Sequence, residues 1–247
     1  MIKVEVYDHL SRQLTEARRE KWIAILKGFC LILVMLVSGM ASALVYNRLV
    51  ILIPTIGIFI SSIVMYKRLD IESKVQVLKV LVHGAKGEAE LRKTLKRGLG
   101  DDYTCFFGIP VDGKGDFDCL VIGPDSVFAI ESKHHGGIID ERDEDLVQIK
   151  IGRRGSFYPG KLKRPVWQLG STIHKFKEML KEEKIDVWME GLLVFTNSDA
   201  RVRQGKIRNV TVVRKDKLCT WIAAGAQNKT SKKQQDALIT YLLGLTV

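Results

Sequence analysis

The chain has 247 residues, with 39 Lys and Arg against 28 Asp and Glu, giving a net charge of +11. A surplus of that size suggests a polyanionic partner, either nucleic acid or anionic lipid headgroups. Four cysteines (Cys30, Cys105, Cys119, Cys219) show no CxxC spacing and no histidines at zinc-ligand intervals, so neither a disulfide framework nor a zinc site is suggested; repeats and low-complexity tracts are absent.

Residues 1–27 are charged, and 8–27 read as a helix running into an apolar segment. Gly28–Asn47 is free of charge over twenty positions and Leu49–Tyr66 over eighteen. As helices these runs are roughly 27–30 Å long, the thickness of a hydrocarbon core. Trp22, Tyr46 and Tyr66 flank them as interfacial aromatics. Only Asn47 and Arg48 separate them, so a transmembrane helical hairpin over 28–66 (28–47 and 49–66) is expected. Gly39 with Ala43, and Gly57 with Ser61, are small pairs at i, i+4 where helices can approach, within one hairpin or in a homo-oligomer through it. The competing reading is a pair of buried core helices. A cleaved signal peptide is not expected, because the run is too long and a charged segment precedes it.

Arg12, Arg18, Arg19, Lys21 and Lys27 precede the first run, and Lys67, Arg68, Lys74 and Lys79 follow the second, whereas Arg48 stands alone between them. The positive-inside bias puts both termini and everything after residue 67 in the cytoplasm. Residues 67–83 then read as a juxtamembrane helix, and 84–247 as one compact domain.

That domain starts with a helical pattern interrupted at Gly84-Ala-Lys-Gly87, where a new helix is expected. Its core stripe is Glu88, Leu91, Leu95 and Leu99. A glutamate on an apolar stripe needs explaining, since an unpaired buried carboxylate is costly. Either it serves a site or it caps its own helix start.

Tyr103–Val111 reads as a strand, followed by a Gly-rich loop and the hairpin DCLVIGPDSVFAIESK, Asp118–Lys133. Gly123–Ser126 is turn chemistry between two short β-branched runs. A four-residue loop sets Ile122 against Val127 and therefore Asp118 against Glu131, with Lys133 on the same face and Cys119 on the other. Two carboxylates about 5 Å apart repel by roughly 3 kcal/mol at an effective dielectric of 20. A divalent cation between them reverses that sign and leaves Lys133 facing a scissile phosphate. The plainer reading is an exposed strand with a Glu131–Lys133 ion pair.

Gly136–Asp140 and Leu146–Arg153 read as a second strand pair, joined by the acidic run 141–145, taken as a solvated turn. Arg153, Arg154, Lys161, Lys163 and Arg164 are interleaved with Phe157, Tyr158 and Trp167. Such a segment suits phosphate contacts and base stacking, or is an ordinary hairpin with a solvated basic face. Pro165 opens a helix with the core stripe Val166, Leu169, Ile173, Phe176 and Leu180, and Gln168 lies at its edge. Gly191–Thr196 and Val210–Arg214 are strands, and Ser231 caps a last helix through Leu243. The class is α/β with a small mixed sheet.

The order GAKGE (84–88), DFDCLVIGPDSVFAIESK (116–133), GGII (136–139) and RPVWQ (164–168) resembles the nuclease-related domain, NERD, of the PD-(D/E)xK, restriction endonuclease-like superfamily. The resemblance implies a restriction endonuclease-like core, a central four-stranded mixed sheet flanked by helices. It implies that Glu88 is the acidic residue of the first helix, Asp118 the metal-binding aspartate, Glu131 and Lys133 the ExK pair, and Gln168 the helix-borne glutamine. It implies Mg²⁺ or Mn²⁺ held by Asp118 and Glu131 with help from Glu88, the Ser132 carbonyl being a further ligand. The activity implied is phosphodiester cleavage of nucleic acid, DNA in the first place, at the cytoplasmic face of a lipid bilayer. The alternative is a catalytically silent, membrane-tethered nucleic-acid-binding or scaffolding protein that retains the fold. His134-His135 follow Lys133 where relatives often carry asparagine, and neither histidine is read as a ligand.

Overall fold

A computed structural model describes residues 3–6, 9–46, 56–57, 59–60, 62–63, 72–152, 154–160 and 162–245. The chain divides into two compact units, Met1–His9 with Gly84–Val247, and Leu10–His83.

In the larger unit the strands are β1 (Lys3–Val6), β2 (Thr104–Val111), β3 (Gly115–Ile122), β4 (Val127–Lys133), β5 (Gly137–Arg142), β6 (Asp145–Ile151), β7 (Phe157–Pro159), β8 (Glu190–Phe195), β9 (Ala200–Val202), β10 (Gly205–Ile207) and β11 (Val210–Arg214). They form a seven-stranded sheet in the order β1-β2-β3-β4-β8-β11-β10 and a four-stranded sheet in the order β7-β6-β5-β9. Strands β2, β3 and β4 are an antiparallel meander, while β8 joins β4 in parallel and β11 joins β8 in parallel. The expected four-stranded sheet corresponds to the centre, β2-β3-β4-β8. It is extended by β11 and β10 on one side and by β1 on the other, a strand that the charged N-terminal pattern does not announce.

Helices cover both faces of this sheet, and alternation along the strands decides what each meets. Helix α2 (Glu72–Gly98) lays Leu91 and Leu95, with the following Leu99, against Cys105, Phe107, Cys119, Val121, Phe128 and Ile130. Helix α3 (Pro165–Glu182) buries Val166, Leu169, Ile173, Phe176 and Leu180 on the opposite face, as its periodicity predicts. Phe176 meets Phe117 edge to face at 5.4 Å, and truncating so central a ring to alanine costs about 3–5 kcal/mol. Gly191 on β8 permits this packing, because a Cβ there would lie 2.9 Å from Ile173 Cδ1. Two further helices complete the unit, α4 (Leu218–Ala223) and α5 (Lys232–Gly244), the latter started by a Ser231–Gln234 capping box.

Two expectations are corrected here. Helix α2 does not break at Gly84–Gly87; it runs continuously from Glu72. The packed stripe of its second half offsets the cost of about 1 kcal/mol per glycine. Glu88 therefore caps no helix start. The acidic run 141–145 is not wholly solvated either. Asp143 and Glu144 form the turn, both at positive φ, but Asp145 is buried.

In the smaller unit α1 (His9–Tyr46) carries the first uncharged run up to Tyr46, with Phe29, Leu33, Val34, Val37, Met40 and Leu44 exposed. Among the described residues no helix is long and apolar enough to cross a membrane. The hairpin expected over 28–66 is thus unsupported by the described helices. Nine side chains of the first run (31–32, 35–36, 42–43 and 45–47) and most of the second run lie outside the described residues.

Candidate active site

The site arises where β3 and β4 stop pairing. Their register runs from Ile122↔Val127 to Cys119↔Ile130, as the Gly-Pro-Asp-Ser turn dictates. One step further, at Asp118 and Glu131, the ladder gives way to side-chain chemistry. The Ser132 N–H and hydroxyl both donate to Asp118 Oδ2 at 2.6 Å, so the carboxylate does the work of a strand carbonyl. On the other side of β3, Asp118 faces Gly108, whose φ of 65° suits glycine. The bend there lets Ile109 and Phe117 keep to the α3 face although Phe107 and Cys119 take the α2 face.

Glu131 is buried on β4. Lys133 Nζ donates to Glu131 Oε1 at 2.5 Å, and Gln168 Nε2 approaches the same oxygen at 3.5 Å. The structure thus brings together Asp118, Glu131, Lys133 and Gln168, from two strands and one helix. Burial, reinforced by the Asp118 charge and only partly offset by Lys133, pushes the Glu131 carboxyl up to about 7. Burial also raises Asp118, moderated by the two Ser132 hydrogen bonds. Asp116, on the same strand, adds negative potential at both groups.

Glu88 belongs to the other face of the sheet. Its carboxylate lies 4.0 Å from Arg92, one turn along α2, and the Arg92 guanidinium sits 4.3 Å above the Phe107 ring. The helix meets the site through Gly87, where a Cβ would lie 3.3 Å from His134 Cβ and 3.5 Å from both Ser132 Oγ and Thr196 Oγ1. The glycine of GAKGE thus brings α2 against the serine that holds Asp118. His134 is engaged with Thr196, Nδ1 to Oγ1 at 3.1 Å.

These donors can be tested against a metal. A buried carboxyl whose pKa is raised by a neighbouring, partly buried carboxylate is relieved by a divalent cation, and oxygen-only donors suit magnesium, which binds through one or two carboxylates and keeps several waters. Among the described residues there is no group of three or more His, Cys, Asp or Glu side chains placed to hold a metal ion. The fit is therefore to an ion on Asp118 and Glu131, and Glu88 is not gathered with them as a third carboxylate.

Of the expected nucleic-acid contacts, Arg154, Lys163 and Arg164 are exposed, beside exposed Phe157, Tyr158 and Trp167. Arg153 and Lys161 lie outside the described residues.

Sequence reasoning missed Asp145. Its Oδ1 accepts the N–H groups of Leu146 (2.8 Å) and Val166 (3.0 Å), and Oδ2 that of Trp167 (3.0 Å). Arg164, in the N-cap position, makes no side-chain capping bond, so a carboxylate 21 residues upstream caps α3 instead. Asp145 anchors the turn from which Gln168 projects. A hydrophobic run resuming directly after an acidic turn was the available signal.

Residues 83–196 match the family model of the nuclease-related domain. The match takes in every residue of the Asp118–Glu131–Lys133–Gln168 cluster, as well as Gly87, Glu88 and Asp145, so this stretch is similar to the nuclease-related domain, which suggests a nuclease-related function. No curated protein and no solved structure matches the chain.

Proposed function

We propose that the protein is a divalent-metal-dependent nuclease that cleaves phosphodiester bonds of nucleic acid, with DNA as the first substrate to test, and that it works anchored to a membrane. The observation that carries the nuclease half is the buried Glu131 carboxyl, raised by the neighbouring Asp118 carboxylate, with Lys133 and Gln168 converging on Glu131. Asp118 and Glu131 would hold Mg²⁺ or Mn²⁺, without Glu88, which pairs with Arg92 on α2. A bound ion supplies Lewis acidity at the phosphate and a more acidic water. Lys133, freed from Glu131 when that carboxylate takes another cation, stabilises negative charge building on the phosphate. Gln168 orients substrate or water from α3. Arg154, Lys163 and Arg164, with Arg153 and Lys161 in the same segment, neutralise backbone phosphates. The test is cleavage of circular and linear DNA and of RNA by the full chain in detergent, with Mg²⁺, Mn²⁺ or EDTA. Metal-dependent cleavage lost in Glu131→Ala is expected, and no cleavage under any condition refutes the reading.

A second reading has its own observation. Lys133 already pairs with Glu131 at 2.5 Å, and no three-residue metal group is assembled among the described residues. A silent binding or scaffolding protein built on the nuclease fold would look the same. Salt-sensitive binding of nucleic acid without cleavage would select it.

The anchoring half rests on the two uncharged runs and their flanking cations, supported by the exposed apolar side chains of α1. The cation asymmetry favours a cytoplasmic side for both termini and the nuclease domain, and small-residue pairs offer a route to a homo-oligomer. Recovery in a carbonate-resistant membrane fraction is expected, with terminal reporters that work only outside the cytoplasm staying silent. A soluble protein, or an active C-terminal reporter, overturns this half.

A further inference from the structure

We infer that Trp167 is a stacking platform for an unpaired nucleobase at the mouth of the site, so that the substrate class is nucleic acid with single-stranded character. The inference deepens the nuclease reading and rests on it for the direction of the strand, but the binding it describes does not require cleavage.

The indole of Trp167 is half exposed, although the residue sits in the first turn of α3, directly before Gln168. Its backbone is fixed, because its N–H is bonded at 3.0 Å to the buried Asp145 carboxylate. An exposed tryptophan on a rigid backbone loses little freedom on binding. Two cations lie over the ring. Lys114 Nζ, from the turn between β2 and β3, is 5.7 Å from its centroid, and the Arg164 guanidinium is 5.6 Å away. Both are within cation–π range. Lys114 comes from the same turn that leads into Asp116 and Asp118, while Gln168 reaches to within 3.5 Å of Glu131. An aromatic face, flanking cations and the paired carboxylates are thus tied together by adjacent residues.

This combination fits one ligand class. A nucleotide offers a flat base for the indole and phosphates for Lys114 and Arg164, which would exchange the ring for the phosphates as the base arrives. In a duplex the base faces are already stacked on one another, leaving groove edges and phosphates on display. A single strand, a frayed end or a flap offers a free face. Trp167 therefore selects unpaired nucleotides, while the basic side chains act on either form.

The experiment measures binding by the full chain in detergent, with EDTA present so that nothing is cut. The probes are a fluorescent single strand and the same sequence as a blunt duplex. Trp167→Ala is expected to weaken single-strand binding roughly 5- to 100-fold, the range for losing one aromatic–base stack, and duplex binding by less than about twofold. Trp167→Phe keeps most of the affinity, and Trp221→Ala, at an exposed tryptophan on α4, changes neither. Lys114→Ala lowers the salt dependence while keeping the preference for single strands. An unchanged single-strand affinity in Trp167→Ala, an equal loss on both probes, or no single-strand binding by the wild type overturns the inference. Cleavage with Mg²⁺ is scored separately, so a wild type that binds in this pattern without cutting refutes the nuclease reading and leaves the stacking site standing.

Discussion

The β3–β4 edge and the β5–β6 turn each bury a carboxylate in the same domain, Glu131 at 8% exposure and Asp145 at 6%, and their surroundings are opposites. Asp145 faces three backbone N–H groups and closes the start of α3. Glu131 faces a second carboxylate, a lysine that only partly compensates it and an amide at 3.5 Å. A buried acid satisfied by fixed donors is structural. A buried acid set beside another acid is poised for a cation, and the cost of keeping it there is a signature of a working site.

The largest expected effect breaks the comparison at its catalytic end. Glu131→Ala should abolish cleavage with nucleic-acid affinity largely kept, and Lys133→Ala should lower kcat by roughly 100- to 1000-fold, as for loss of one charge-stabilising donor. Single-turnover cleavage and equilibrium binding measured on the same preparations separate the two effects. Loss of binding in parallel with cleavage would make this edge a docking surface.

Asp145→Ala should do the reverse. It leaves the N–H groups of Leu146, Val166 and Trp167 without their carboxylate, at a cost to stability of about 2–4 kcal/mol read from urea unfolding. Asp145→Asn should recover part of it, since an amide oxygen still accepts. A neutral Asp145→Ala would mean that water replaces the cap and that the two acids are not opposites.

The pH dependence of unfolding sharpens the contrast further. A carboxyl raised in the folded state makes its full contribution to stability below the unfolded value of about 4.5, and loses it as the pH rises through the folded value of about 7. The metal-free protein should therefore lose up to about 3 kcal/mol from this group between pH 4.5 and pH 7–8. Glu131→Gln should flatten that loss, and Mg²⁺ should restore stability at the upper end through linkage. Asp118→Asn should remove most of the Mg²⁺ gain. An unchanged Mg²⁺ shift in that variant would put the ion elsewhere.

The smallest effect concerns the basic segment. Alanine at Arg154, Lys163 and Arg164 should weaken binding and lower the slope of log Kd against log salt by roughly one per lost phosphate contact. An unchanged slope would return these residues to a solvated hairpin face.

Much of this molecule is governed by rules that act between near neighbours, and those parts were legible in the residues. The Gly123–Ser126 turn set the register from Ile122↔Val127 to Cys119↔Ile130, which delivers Asp118 and Glu131 to the same end of the hairpin. The 3.6-residue period put Leu91, Leu95 and Leu99 on one stripe and Val166 to Leu180 on another, and both stripes are buried as expected. Tertiary structure decided what depends on residues distant in the chain. Gly87 breaks no helix although it lies within α2, and the backbone there comes close to His134, where a Cβ would stand 3.3 Å from the His134 Cβ. Asp145 could be identified as a cap only once α3 arrived beside the β5–β6 turn. Glu88 shares a periodic stripe with core leucines, yet the face of the sheet it occupies follows from how α2 crosses, and that is fixed by the whole core. Local periodicity says which side chains share a face; which donors and charges face each other across the fold is settled only when the elements meet and every buried polar group must find a partner.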